Sequence, residues 1–233
     1  MTPALAALQA SLAERLAELR GVPVSDLPEE LLDVVVRPFD LPGGEVYLVK
    51  PADWEALRDE EGMAPGRPLP YWARLWPSGI ELAMELAAHP PGPGTKVIEL
   101  GCGLGLASVV AGRGGAAVLA TDGHGDAVAF AAHNLALNEL EATVACADMA
   151  QDADALVERG PFDLVLAADV LYTVPNADAL LTLVPRLLEP NGELWLGDPD
   201  RAGGRRFLSA ARSHFHVRTR EGDEVKLHKL RPR

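Results

Sequence analysis

The sequence predicts an α/β fold, a doubly wound and mostly parallel sheet with an antiparallel hairpin at its C-terminal end, and three observations carry that reading. From residue 96 onward, apolar runs of strand length at 96–100, 117–122, 143–147, 163–169 and 192–198 alternate with helix-like stretches at 106–112, 126–138 and 176–188. Strands alternating with helices give βαβ crossovers and a parallel sheet covered on both faces. The run Asp163-Leu-Val-Leu-Ala-Ala-Asp169 is almost unbroken in its apolarity, which suits a central strand buried on both sides. Finally, 216–221 and 224–230 are separated only by Gly222-Asp223. So short a connection excludes a parallel crossover and predicts a hairpin at one edge of the sheet.

Ahead of that repeat the pattern is different. Leu5, Leu8, Leu12, Leu16 and Leu19 recur at helical spacing and mark an amphipathic helix that stops near Gly21 and Pro23. Two β-like runs, 34–37 and 45–49, flank Pro42-Gly43-Gly44 and read as a hairpin. Between 60 and 70 the chain is rich in Gly, Pro and charge, the composition of a linker. The organisation expected is an extension, 1–68, of helix and β-hairpin packed on a main domain at 69–233.

Composition narrows the function. The 34 acidic residues against 21 basic ones give a formal charge of −13 over 233 residues, a balance that repels phosphate backbones, so a nucleic-acid partner is not expected. Charges among the leucines of the first helix break any secretory core, and no apolar run approaches a membrane span. Cys102 and Cys146 have no CxxC spacing and read as free thiols in a reducing, cytoplasmic compartment. The six histidines show no metal-ligand grouping, so no metal is expected. A monomer or weak dimer is the expected state.

The first parallel strand runs into Glu99-Leu100-Gly101-Cys102-Gly103-Leu104-Gly105. Glycines there let the chain turn sharply from strand to helix and let a ligand approach the backbone. The strand before, the helix after and Asp122 at the end of the next strand give the context of a nucleotide-type site. The spacing departs from the dinucleotide pattern Gly-x-Gly-x-x-Gly, since Leu106 or Ser108 stands where its third glycine belongs. Glu99 adds negative charge beside the loop, which suits a cationic ligand without phosphates better than a pyrophosphate. S-adenosylmethionine is such a ligand. Asp122, followed by Gly123, would accept from its ribose hydroxyls; Asp148 either accepts from the adenine amino group or caps a helix. His124 shapes this loop, while Asn134 and Asn138, one helical turn apart, are expected to make solvent or capping contacts.

Three segments then carry a family resemblance over roughly residues 69–200: Pro70-Tyr-Trp-Ala-Arg-Leu-Trp-Pro-Ser-Gly79, the glycine loop, and Asp169-Val-Leu-Tyr172. Together they resemble the family 16 methyltransferases, a branch of the class I enzymes with a Rossmann-like, seven-stranded sheet whose last strand inserts antiparallel. That group includes protein-lysine methyltransferases, notably the one acting on the electron transfer flavoprotein β-subunit, and relatives acting on small molecules such as nicotinamide. Leu196-Gly-Asp-Pro-Asp-Arg201 also looks like the fifth-strand end of the flavoprotein-directed enzymes.

The resemblance implies that Trp76 lines the donor pocket; the alternative for Trp72 and Trp76 is a place among the core aromatics, and Trp76 fits a pocket lid better. It also implies that Ala168 contacts the donor from the fourth strand's end, and that Met149 takes a place where relatives often carry tryptophan. Asp169 and Tyr172 satisfy the acidic-x-x-aromatic hallmark. Asp169 is expected to bind and orient an amine, and Tyr172 to line the acceptor channel. The expected activity is N-methylation of a lysine on a protein substrate. A small-molecule amine is the alternative acceptor, and a non-catalytic donor-binding module is the alternative from another class.

Overall fold

The structure is a computed structural model, and it describes residues 3–62 and 69–233. The linker expected between 60 and 70 lies largely outside the described residues. Helix α1 spans Pro3–Arg20 and buries Leu12 and Leu16 completely. Gly21, at φ 66, ends it by turning its N–H back to Glu18 O. The short helix α2, Glu29–Leu32, leads into strands β1, Val34–Leu41, and β2, Gly44–Pro51. Their antiparallel pairing runs from Val34↔Pro51 to Leu41↔Gly44, longer than the 34–37 and 45–49 expected. It continues through Pro38 because a two-stranded ribbon leaves one side of each strand without a donor requirement. Helix α3, Trp54–Gly62, closes the first segment.

After a 3-10 turn at Tyr71–Ala73, the main sheet is assembled from α4 (Pro77–Ala88), β3 (Lys96–Leu100), α5 (Leu106–Arg113), β4 (Ala117–Asp122) and α6 (Gly125–Leu137), followed by β5 (Thr143–Cys146), α7 (Ala153–Val157), β6 (Phe162–Ala168), α8 (Val174–Leu187), β7 (Leu188–Asp198), α9 (Ala202–Ala211), β8 (Phe215–Glu221) and β9 (Lys226–Pro232). The strand order is β5-β4-β3-β6-β7-β9-β8. Neighbours from β5 to β7 are parallel, and β9 runs antiparallel to both β7 and β8. The expected sheet and its C-terminal hairpin are therefore present. The hairpin loop is longer than expected, Gly222 to Val225, because Val225 is drawn into the core and Gly222 N–H closes the turn on its carbonyl.

Alternation along β6 feeds two cores. Leu164 and Leu166 pack with α4 and α5 on one face; Val165 and Ala167 pack with α8 and α9 on the other. A third core joins Leu12 and Leu16 of α1, Val49 of β2 and Leu57 of α3 to Trp72 and Phe130. Helices α4 and α9 were not anticipated. The first residues of α4, Pro77 to Gly79, were read as the end of a motif, and the Gly203-Gly204 pair in α9 is a weak helix former.

Asn134 corrects another expectation. Far from facing solvent, it is completely buried, accepts from Val49 N–H at 2.7 Å and donates to Val49 O and Leu104 O at 3.1 and 2.8 Å. One turn on, Asn138 accepts from Tyr47 N–H and donates to Tyr47 O. The pair laces β2 to α6. No helix among the described residues is long and apolar enough to cross a membrane.

Candidate active site

The carboxyl ends of β3, β4, β5 and β6 bring most of the expected site residues to one rim of the sheet. The loop after β3 places Gly101, Gly103 and Gly105 at φ 68, 52 and 80, the left-handed region that glycine enters without steric cost. A Cβ on Gly101 would lie 2.7 Å from Val170 Cγ1, and one on Gly103 would lie 3.1 Å from Trp72 O. Two walls therefore press on the loop, one from the 70–76 turn and one from the segment after β6, and glycine is what lets them approach.

Asp122 sits at the end of β4 with each oxygen taking a main-chain N–H: Oδ2 from Gly103 and Oδ1 from His124, both at 2.9 Å. Burial pushes its carboxyl pKa up, against the pull of those two donors. His124 caps α6 by accepting from Asp126 N–H, and its ring lies 5.6 Å from that of Trp72. Gly123 runs beside Asp148, whose Oδ2 is 3.3 Å from where a Cβ would stand.

Asp148 Oδ1 accepts from Ala150 and Gln151 N–H. It caps the turn ahead of α7, while the helix itself begins after Asp152. Met149 is half-buried against the α8 face of the sheet, and Ala168, at the end of β6, is half-buried against the α4 face.

Glu99 stands apart from the picture of a charge beside the loop. It is buried behind it, accepting from Ser108 N–H at 2.9 Å and from Ser108 Oγ at 2.5 Å. Burial raises its pKa to about 7 although Ser108 opposes the shift. Its physical work is to tie β3 to the first turn of α5.

Trp76 is half-buried, donates from Nε1 to Tyr71 O at 2.9 Å, and carries the Arg74 guanidinium 4.8 Å above its ring. Trp72 is the more deeply buried indole, its ring tilted against that of Phe130 at 5.0 Å between centroids, with Nε1 lacking a hydrogen-bond partner among the described residues. Trp72 thus serves the core, and its main chain roofs Gly103.

Asp169 follows β6 at φ 59, anchored by its N–H to Gly197 O. Its Oδ1 is paired with Arg201 Nη1, and its Oδ2 is buried without a hydrogen-bond partner among the described residues. Tyr172 is 64% exposed, so it lies on the open rim. Sequence reasoning missed two neighbours. Asp198, at the end of β7, is buried and accepts from Arg201 N–H at 2.7 Å, and Arg201 links it to Asp169. The available signals were that Asp198 ends an apolar strand at the same rim and that both residues lie in the Leu196–Arg201 segment already singled out for its resemblance.

These features fit a cationic nucleoside donor: a glycine cradle that a side chain would fill, a strand-end carboxylate at its lip, and a second carboxylate one strand away. Comparison with known proteins agrees. A model described as a methyltransferase domain matches residues 91–224. An electron transfer flavoprotein β-subunit lysine methyltransferase of Xenopus laevis is 36% identical over 140 residues, covering 57% of this chain and 54% of that protein. EEF1A lysine methyltransferase 3 of Mus musculus is 29% identical over 167 residues, covering 65% of this chain and 67% of that one. Among solved structures, a 16S rRNA N2 G1207 methyltransferase of T. Thermophilus, in complex with AdoMet and guanosine, superposes with a TM-score of 0.65 at 18% identity. It covers 86% of this chain and 51% of that one; at that identity the likeness speaks for the fold.

The sheet order and the inserted antiparallel strand define a class I, Rossmann-like fold. The chain belongs to the methyltransferase domain family. It spans about half the length of the flavoprotein-directed relatives it matches.

Proposed function

We propose that the protein transfers a methyl group from S-adenosylmethionine to the side-chain nitrogen of a lysine on a protein substrate. The observation that carries this reading is the free, buried Oδ2 of Asp169. It belongs to the segment whose Val170 packs on Gly101 of the proposed donor cradle. A buried carboxylate oxygen without a partner calls for a cation or a donor group. The exposure of Tyr172 leaves the rim open to a lysine carried on a large molecule. The lysine methyltransferases among the relatives point the same way.

The donor supplies an electrophilic methyl on a sulfonium. Gly101, Gly103 and Gly105 would bring main chain close to it, Asp122 would accept from its ribose hydroxyls, and Trp76 and Met149 would flank it. Gly123, Asp148 and Ala168 complete the proposed contacts. Asp169 would orient the amine, and Tyr172 would line its approach. The amine sheds a proton, to Asp169 or to water. Its lone pair then forms the N–C bond as the C–S bond breaks and the electron pair returns to sulfur. Such a displacement needs alignment and exclusion of water more than covalent help from the protein.

The test combines two measurements. Calorimetry with S-adenosylmethionine, S-adenosylhomocysteine and NAD should show binding of the first two and not the third. Labelled methyl transfer is then measured with purified electron transfer flavoprotein β subunit, total cell protein and nicotinamide. Label on a protein lysine supports the reading. Label on nicotinamide alone changes the acceptor class, and donor binding with no label on any acceptor would make this a non-catalytic module.

A further inference from the structure

Six buried side-chain polar atoms lack a hydrogen-bond partner among the described residues, and three of them gather around the ends of β6 and β7: Asp169 Oδ2, Asp198 Oδ2 and Ser78 Oγ. Gly197 joins them. It accepts from Asp169 N–H and precedes Asp198, and a Cβ there would stand 2.8 Å from Ser78 O. Such concentration of unsatisfied buried groups is unusual in a folded protein, where nearly all are paired.

The charges at the same place do not balance. Asp169 and Asp198 share one cation, Arg201, whose Nη1 pairs with Asp169 Oδ1 and whose main-chain N–H donates to Asp198 Oδ1. Asp200, next along, has its own partners in Arg205 and Lys226, at 3.7 and 3.5 Å. Among the described residues the guanidinium pairs with Asp169 and acts on Asp198 only through its charge, so the two carboxylates have one cation between them and one negative charge is in surplus. Asp198 is 1% exposed, and the Asp169 side chain 9%, so solvent does little to relieve it. Burial accordingly pushes the Asp198 carboxyl pKa up. Arg201 opposes that shift and Asp169 adds to it.

The cluster is held rigidly. A Cβ on Gly204 would collide with the Asp198 carboxylate, and one on Gly203 with Leu171 O. The first turn of α9 is thus pressed directly onto the site, and Arg201 is fixed at its N-cap.

We propose that Arg201 neutralises one oxygen of Asp169 and leaves the other for the acceptor, and that Asp198 supplies the second carboxylate. The site then takes a singly charged primary ammonium, whose arrival brings two anions and two cations into balance. This rests on the reading of Asp169 as the acceptor's carboxylate. It adds the form in which the acceptor arrives, an alkylammonium rather than a neutral amine or an aromatic ring, and a second carboxylate, Asp198, that selects it.

The probe is n-butylammonium, the terminal part of a lysine side chain, titrated by calorimetry into protein saturated with S-adenosylhomocysteine at pH 8, with n-butanol as the neutral control. The wild type should bind the cation and not the alcohol. Asp198→Asn removes the surplus charge and should weaken binding at least tenfold, as should Asp169→Asn. Arg201→Gln doubles the surplus and should tighten binding severalfold, while Arg201→Lys returns it to the wild-type value.

A merely structural role for Arg201 predicts the opposite sign, with Arg201→Gln weakening binding as Asp169→Asn does, and that result overturns the proposal. So does an Asp198→Asn protein that binds unchanged, or a wild type that holds S-adenosylhomocysteine but not n-butylammonium. Failure to bind S-adenosylhomocysteine at all would sink the methyltransferase reading first, and this inference with it. Should Asp198→Asn not fold, the Arg201 pair decides alone, since that side chain is half-exposed.

Discussion

Asn134 in α6 and Val49 in β2 exchange two hydrogen bonds, side chain to main chain, 85 residues apart. The same amide reaches Leu104 O inside the glycine loop. One buried side chain therefore completes the main-chain bonding of the N-terminal ribbon and of the proposed donor cradle together. Asn134→Ala would leave those groups buried and unpaired, at a cost of roughly 3 kcal/mol. Urea unfolding should show it as a lower midpoint, and a loss below about 1 kcal/mol would mean that the latch carries little.

Gly103 tests the cradle. At φ 52, with Trp72 O only 3.1 Å from a would-be Cβ, it has room for neither a strained backbone nor a side chain. Gly103→Arg should weaken S-adenosylhomocysteine binding by more than about a hundredfold, while the thermal transition stays cooperative. Unchanged affinity would place the donor elsewhere.

For the acceptor side, Asp169→Ala should lower methyl transfer by at least about a hundredfold with S-adenosylhomocysteine affinity nearly unchanged. Tyr172→Phe keeps the ring on the rim and should lose less than Tyr172→Ala. If the donor affinity falls in step with turnover in Asp169→Ala, Asp169 belongs to the donor site.

Glu99 predicts a pH dependence. Its pKa in the fold, about 7, lies above the ordinary 4.5 because burial disfavours the ionised form. The folded state therefore holds this proton more tightly than the unfolded chain does. The stability so gained is fully present below about pH 4.5 and is lost as pH rises through 7, amounting to roughly 3 kcal/mol. Melting temperatures of the wild type should thus fall more steeply between pH 5 and 8 than those of Glu99→Gln. Parallel curves would show that the buried carboxyl does not titrate in that range.

The sheet and the glycine loop could be read from residues 96–198 because strand and helix periods alternate there, interrupted only between 147 and 163, where the short α7 gave no clear period. The loop's glycines announce themselves by spacing, and Asp122 by its place at a strand end. What escaped reading depends on contacts distant in sequence. Arg201 meets Asp169 only because β6 and β7 lie side by side, 32 residues apart along the chain. Asn134 looked like a solvent-facing amide because nothing near it in sequence reveals that β2 will cover its helix. Gly203-Gly204 gave no helix signal, yet the missing side chains are what allow α9 to settle on Asp198 and Leu171.

The seam between β3 and β6 has a consequence for how such an enzyme can diversify. The groups proposed to hold the donor lie mostly in the loops of β3, β4 and β5, with Trp76 and Ala168 completing them, while those proposed to select the acceptor lie between 169 and 204 on β6, β7 and α9. The two sets touch where Val170 meets Gly101. Inheritance could thus rewrite the choice of acceptor within one short stretch of gene, through the charge count at 169, 198 and 201, while the donor machinery passes on unaltered.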